Sequence, residues 1–162
     1  MAKIKFDGIQ RYEIMLSKIQ TGTDKIIGKA IYAGAKIIAD EIKSNINSLE
    51  VEQGQEGNSG KLLTGITSAQ KKGLQEGFGI APMEYKEGYR SVKLGFDGYN
   101  ATITDKYPNG QPNVLIARAV EGGTSFRKKN PFVRKAIKAK KDAANKEMSK
   151  VFDEEISRIM KG

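Results

Sequence analysis

Between Asp24 and Ser48 the chain carries Ile27, Ile31, Ala35, Ile38, Ile42 and Ile46 at three- and four-residue steps, widened by Ile26, Ala30, Ile37 and Ala39. A stripe sustained over that length predicts one amphipathic helix and requires a second apolar surface to cover it. Thr23 or Asp24 serves as the N-cap, and the Gly22 region separates this helix from a shorter one marked by Ile9, Tyr12, Leu16 and Ile19. Ala30, Ala33, Gly34 and Ala35 shave one face. An interior glycine costs about 1 kcal/mol relative to alanine, so Gly34 predicts close approach by another backbone.

A second long helix closes the chain. Asn130 is placed as its N-cap and Pro131 as its first residue, and Val133, Ile137, Ala144, Met148, Val151 or Phe152, Ile156 and Ile159 mark its face. Between the two helices the signals are shorter. "KIKFDG" near the start predicts a strand or extended arm, and Val51 to Gly60 a polar, glycine-rich mobile loop. Lys61, Leu62, Leu63 and Ile66 suggest a turn of helix, which "SAQKKGLQ" extends or follows as a flexible link. "FGIAPM" and "RSVKLGFDG" predict two strands of a long hairpin with a polar "EYKEGY" tip. Pro108-Asn109-Gly110 predicts a tight turn, and "VLIARAV" from Val114 to Val120, too short for periodicity to separate a buried strand from a helix, is read as a short helix. The elements so placed are two long helices, a hairpin and long loops.

At 162 residues the chain is the size of a single domain. It has no cysteine and no histidine, which removes thiol nucleophiles, imidazole bases, common zinc sites and disulfides. No apolar run of signal-peptide or membrane-spanning length is present, which predicts a protein made and kept in a cytoplasm. The sequon at Asn100 is then an accident of composition. "GQEGNSGKLLT" imitates a phosphate-binding loop, but Leu62 replaces the magnesium-binding hydroxyl, the first glycine is misplaced, and a helix precedes it. Asp40-Glu41 and Asp153-Glu154-Glu155 lie on helices where carboxylates ordinarily face solvent. No catalytic, metal or cofactor residues are assigned.

The net charge of +9 is concentrated. Arg127, Lys128, Lys129, Arg134, Lys135, Lys138, Lys140 and Lys141 are eight of the 28 Lys and Arg residues, and no acid lies among them. Cations at a helix start oppose its dipole, so a partner is expected for them, either a polyanion or an acidic protein surface. Just upstream, "EGGTS" lies too far from the helix mouth to act as a phosphate loop and reads as a turn, with Phe132 and Val133 anchoring the helix.

Glu121-Gly122-Gly123-Thr124-Ser125, a basic spacer, then Asn130-Pro131-Phe132-Val133-Arg134 and Ala136 resembles the "E-x-G-T-S" turn and "P-F-hydrophobic-R-x-A" helix start of a phage tail-component family. Its members are head-to-tail joining or tail-completion proteins of long-tailed bacteriophages and prophages. "SGKLLTGI" is similar to the family's "tGxLxxSI" segment, with Gly65 where a serine is frequent. The resemblance spans nearly the whole chain, with residues 70–90 as an extended hairpin insertion. It implies an α+β domain, two long helices packed on a small antiparallel sheet with a protruding hairpin and long loops, that serves as a non-catalytic subunit of a hexameric ring at the neck or head-proximal end of the tail of a virion, made in the host cytoplasm. Its neighbours would be the connector or stopper, tail terminator and tail tube, with DNA in the lumen and no membrane. Glu121, Gly122, Gly123, Thr124, Ser125 and Phe132 would form the assembly interface, and Arg127, Lys128, Lys129, Arg134, Lys135 and Lys138 a basic contact surface. The alternative is a nucleic-acid-binding module using residues 127–141, although the tyrosines are not clustered with the cations.

Overall fold

The computed structural model describes residues 9–53, 60–87 and 89–162, with side chains from residue 17 onward. It is an α+β fold of four helices and one interrupted hairpin: α1 (Ile9–Asn47), α2 (Ser68–Gly77), β1 (Phe78–Ile80), β2 (Glu84–Lys86), β3 (Tyr89–Ser91), β4 (Leu94–Phe96), α3 (Asn113–Gly122) and α4 (Phe132–Lys161). The expected arm at residues 3–8 and the tip of the loop at 54–59 lie outside the described residues.

The expected break at Gly22 does not occur, and α1 is continuous. Thr23 and Asp24 are interior residues: the Thr21 and Thr23 hydroxyls donate back to carbonyls of Ser17, Lys18 and Ile19 one turn earlier. Gly22 packs beside Ile159 of α4, so tertiary contact offsets its low propensity.

α1 and α4 run antiparallel. Gly22 meets Ile159, Lys29 pairs with Glu155, Gly34 seats Met148, Glu41 pairs with Lys140, and the Asn45 amide donates to the Phe132 carbonyl. Gly34 is the predicted close approach, since a Cβ there would lie 2.5 Å from Met148 Cγ and 3.2 Å from the Ala144 carbonyl. At one end, here called the base, Ala39, Ile42, Ile46 and Leu49 of α1 join Ile66, Leu74, Phe78, Ile116, Val120, Phe132 and Ala136 in one core. Burying each large apolar side chain stabilises by roughly 1.5–3 kcal/mol. The other end, the shaft, buries Ile26, Ala30 and Ala144 among the apolar side chains that are described.

The hairpin consists of two short antiparallel ladders, Phe78 to Ile80 on Phe96 to Leu94 and Glu84 to Lys86 on Ser91 to Tyr89. Pro82 lies in the gap, where its missing N–H cannot continue the ladder. From the base the hairpin runs along α1: the Met83 N–H donates to Tyr32 Oη at 2.9 Å, the Met83 side chain rests over Gly28, and Arg90 pairs with Asp24. Residues 70–77 of the suggested insertion are not hairpin but belong to α2, which a Thr67–Gln70 capping box starts.

Two further expectations are corrected. Lys61 to Ile66 is extended, not helical, because its backbone bonds go to distant segments. Helix α4 begins at Phe132 with Pro131 as N-cap, not Asn130, and its core face is Phe132 and Ala136 while Ile137 is exposed. The Phe132 ring meets Phe96 edge-on at 6.0 Å, which sets that rotation.

Candidate functional site

Two segments singled out in the sequence, "SGKLLTGI" and "EGGTSFRKKNPFVR", meet at the base and form a joint. The Leu63 N–H donates to the Phe126 carbonyl and the Lys128 N–H to the Leu63 carbonyl, both at 2.9 Å. On its other side the same strip pairs with the end of α1, with Ile66 N–H to Glu50 O at 2.9 Å and Glu52 N–H to Ile66 O at 2.8 Å. Three stretches far apart in sequence are thus held in one irregular parallel arrangement, bridged at Val51–Ile66 and Leu63–Arg127.

The turn itself is built by Gly123. Its φ of +76° favours glycine, and a Cβ would stand 3.0 Å from the Lys129 backbone nitrogen and Cβ. Thr124 and Arg127 close the loop with reciprocal backbone bonds, and Asn130 N–H donates to Val120 O at 2.7 Å, aiming the chain into α4.

Glu121 belongs to the frame of this joint. Its carboxylate accepts from the Val133 N–H at 2.9 Å and the Arg134 N–H at 3.1 Å, so it caps α4 from another helix. It also faces the Arg134 side chain at 3.5 Å. An anion at that position relieves the dipole penalty of the cations in the first turn. With those amides engaged, the helix mouth offers them to no ligand.

Arg127 does not belong to the basic contact surface. It is 8% exposed and donates from its guanidinium to the Gly65 carbonyl. Burial lowers its pKa, while the Glu52 charge acts in the opposite direction. Glu52 accepts from the Thr64 and Gly65 N–H groups, both at 2.9 Å. Those bonds, Gly65 first, hold its carboxyl below the ordinary value, with Lys61 adding to them and burial opposing. Gly65 itself is packed against the chain, since a Cβ would lie 2.6 Å from the Glu50 carbonyl oxygen.

Phe132 is likewise no interface residue: at 2% exposure it is core. Gly122, Thr124 and Ser125 are exposed. Within the expected joint stretch, Glu121 to Phe132, the large apolar residue that is exposed is Phe126, 49% exposed on the outside of the joint and not singled out from the sequence. It borders a cavity of about 210 Å³ shared with Leu63, Thr102, Thr104, Gln111 and Arg127, and Ile103 between the two threonines is 71% exposed. A lone phenylalanine in a basic spacer has no periodicity to betray its outward direction.

The cations separate into two groups. Arg127 is buried, Arg134 faces Glu121, and Lys140 reaches Glu41 at 3.7 Å. Lys128, Lys129, Lys135, Lys138 and Lys141 are exposed, with no carboxylate in ion-pair reach among the described residues. Of these, Lys128, Lys129 and Lys135 share an open concavity of about 320 Å³ with Ser48, Glu50, Thr64 and Asn130.

Of the carboxylate clusters, Asp40 pairs with Lys36, Glu41 with Lys140, and Glu155 with Lys29 and Arg158, while Asp153 and Glu154 are exposed. The sequon residue Asn100 is 5% exposed, its side chain bonded to Gln111 O and Thr102 N. Among the described residues no helix is long and apolar enough to cross a membrane. Comparison with protein-family models, curated proteins and solved structures returns no match.

Proposed function

We propose that the chain is a structural assembly protein. More narrowly, it is a ring-forming subunit at the neck or head-proximal end of the tail of a phage or phage-like particle, completing the tail and joining it to the head connector. One observation carries the reading. The two segments most similar to the motifs of the tail-component family, some sixty residues apart in sequence, are bonded backbone to backbone into a single joint.

A closed ring needs two different surfaces on each subunit. The joint supplies one, with Phe126, Leu62 and Ile103 exposed on it. The hairpin supplies the other, with Tyr85 and Tyr89 exposed at its far ladder. In this reading the partners are further copies in a hexameric ring together with stopper, tail terminator and tail-tube proteins, and the protein resides in the virion after synthesis in the host cytoplasm.

The test is particle localisation. The surrounding gene cluster is expressed with a tag after Gly162, and purified particles are imaged by electron microscopy with a label on the tag. Label at the head-proximal end of the tail is expected, whereas particles that carry no label, or label elsewhere, overturn the reading.

A further inference from the structure

We propose that the concavity lined by Lys128, Lys129, Lys135, Ser48, Thr64 and Asn130 is a phosphate-binding site. The inference stands apart from the assembly role, since it rests on the sorting of the cations. Nearby cations that have internal work are satisfied: Arg127 on the Gly65 carbonyl, Arg134 on Glu121, Lys140 on Glu41. The three that converge on the concavity have no such partner among the described residues.

Their backbones are fixed, which makes the convergence a built feature. Lys128 donates its N–H to Leu63 O, Lys129 is packed against Gly123, and Lys135 donates to Pro131 O in the first turn of α4. Like charges held together repel, and Lys135 also opposes the dipole of α4, so the arrangement costs stability until an anion enters.

The charge balance selects the anion. Glu50 is the single carboxylate of the lining, and it accepts the Thr64 hydroxyl at 3.0 Å. Three ammonium groups against one carboxylate leave an excess of two, matched by one phosphate dianion or two successive phosphodiesters and not by a single acidic side chain. Lysine binds phosphate as a point charge without fixed geometry, which suits an open site. The half-buried Asn130 side chain adds a neutral donor on the same wall.

The experiment compares wild type, the triple variant Lys128→Gln/Lys129→Gln/Lys135→Gln and a control of equal charge loss, Lys141→Gln/Lys146→Gln/Lys161→Gln. Each is titrated with a fluorescent 20-base-pair duplex by anisotropy at several salt concentrations, and with pyrophosphate by thermal shift. Nucleic acid as the source predicts that the cavity variant loses at least about tenfold in duplex affinity and roughly 0.9 of salt slope for each phosphate it no longer neutralises, while the control keeps most of both. Free phosphate as the source predicts a pyrophosphate-induced rise in melting temperature that only the cavity variant lacks. Lys129→Gln alone, expected to show a smaller loss of the same kind, covers the case in which the triple variant fails to fold. Absence of binding to either probe, or equal losses in cavity and control variants, overturns the site and leaves the particle-localisation test untouched.

Discussion

At the base, the ends of α1 and α4 are enclosed by the rest of the fold, whereas along the shaft the same two helices meet, among the described residues, each other and the hairpin. The base buries a continuous apolar core, and it also satisfies the helix ends from outside. Lys71 donates to the Asn47 and Leu49 carbonyls at 2.7 and 2.8 Å where α1 finishes, and Glu121 accepts from the first amides of α4. The shaft is joined by small residues and exposed ion pairs, such as Lys29 with Glu155 at 2.9 Å. The base is therefore expected to unfold as one cooperative unit, and the shaft to open at lower free energy. A rigid joint carrying surface features suits the base, and a spacer suits the shaft.

Paired substitutions sharpen this contrast. The largest effect is expected from Phe132→Ala, which empties the base core beside Phe96 and should cost about 3–5 kcal/mol in urea unfolding. Phe152→Ala in the shaft, where the ring is 38% exposed, should cost far less. Equal losses would break the distinction. Next comes a glycine pair. Gly65→Ala drives a methyl group against the Glu50 carbonyl and should destabilise by about 1–3 kcal/mol. Gly22→Ala meets only Ile159 Cδ1, at 3.7 Å, and should stabilise by up to about 1 kcal/mol through helix propensity. Opposite signs in thermal melts are the expected result.

A third pair contrasts the cap with the ion pair. Glu121→Ala removes the anion that caps α4 and should cost about 1 kcal/mol, with increased exchange of the Val133 and Arg134 amides. Glu155→Gln, which breaks the shaft ion pair with Lys29, should shift the midpoint less. The smallest effect is one of pH. Glu52 has a depressed folded pKa, so its contribution is present above its unfolded value of about 4.3 and is lost as pH falls through the lower folded value. Wild type should thus exceed Glu52→Gln in stability near neutrality, and the two should converge in acid. A difference that grows on acidification would contradict the Glu52 bonds to Thr64 and Gly65.

The same contrast explains what the sequence made legible. Helix periodicity announces α4 and most of α1, since it depends on neighbours three and four residues away, whereas the apolar run in α3 is too short for periodicity to separate helix from buried strand. The division of α1 at Gly22 follows local propensity, which contact with Ile159 overrides. The joint resists sequence reasoning because its bonds are long-range. Lys61 to Ile66 has helical spacing, yet its partners Glu50, Glu52, Phe126 and Lys128 are remote in the chain. For the same reason Glu121, expected on the assembly interface, and Arg127, expected on the basic contact surface, turn out to brace the joint from within. Lys128, Lys129 and Lys135 are exposed as expected, but their convergence on one concavity with Ser48 and Thr64 required the fold.

The most direct test of the account places one new charge on each region and counts joined particles. Phe126→Asp alters the exposed face of the joint, and Phe152→Asp alters an exposed position on the shaft. Both proteins should be folded and soluble. The account predicts that Phe126→Asp supports few joined particles while Phe152→Asp supports a near-normal yield. A normal yield with Phe126→Asp, or an equal loss with both, would contradict the assignment of the base as the assembly surface.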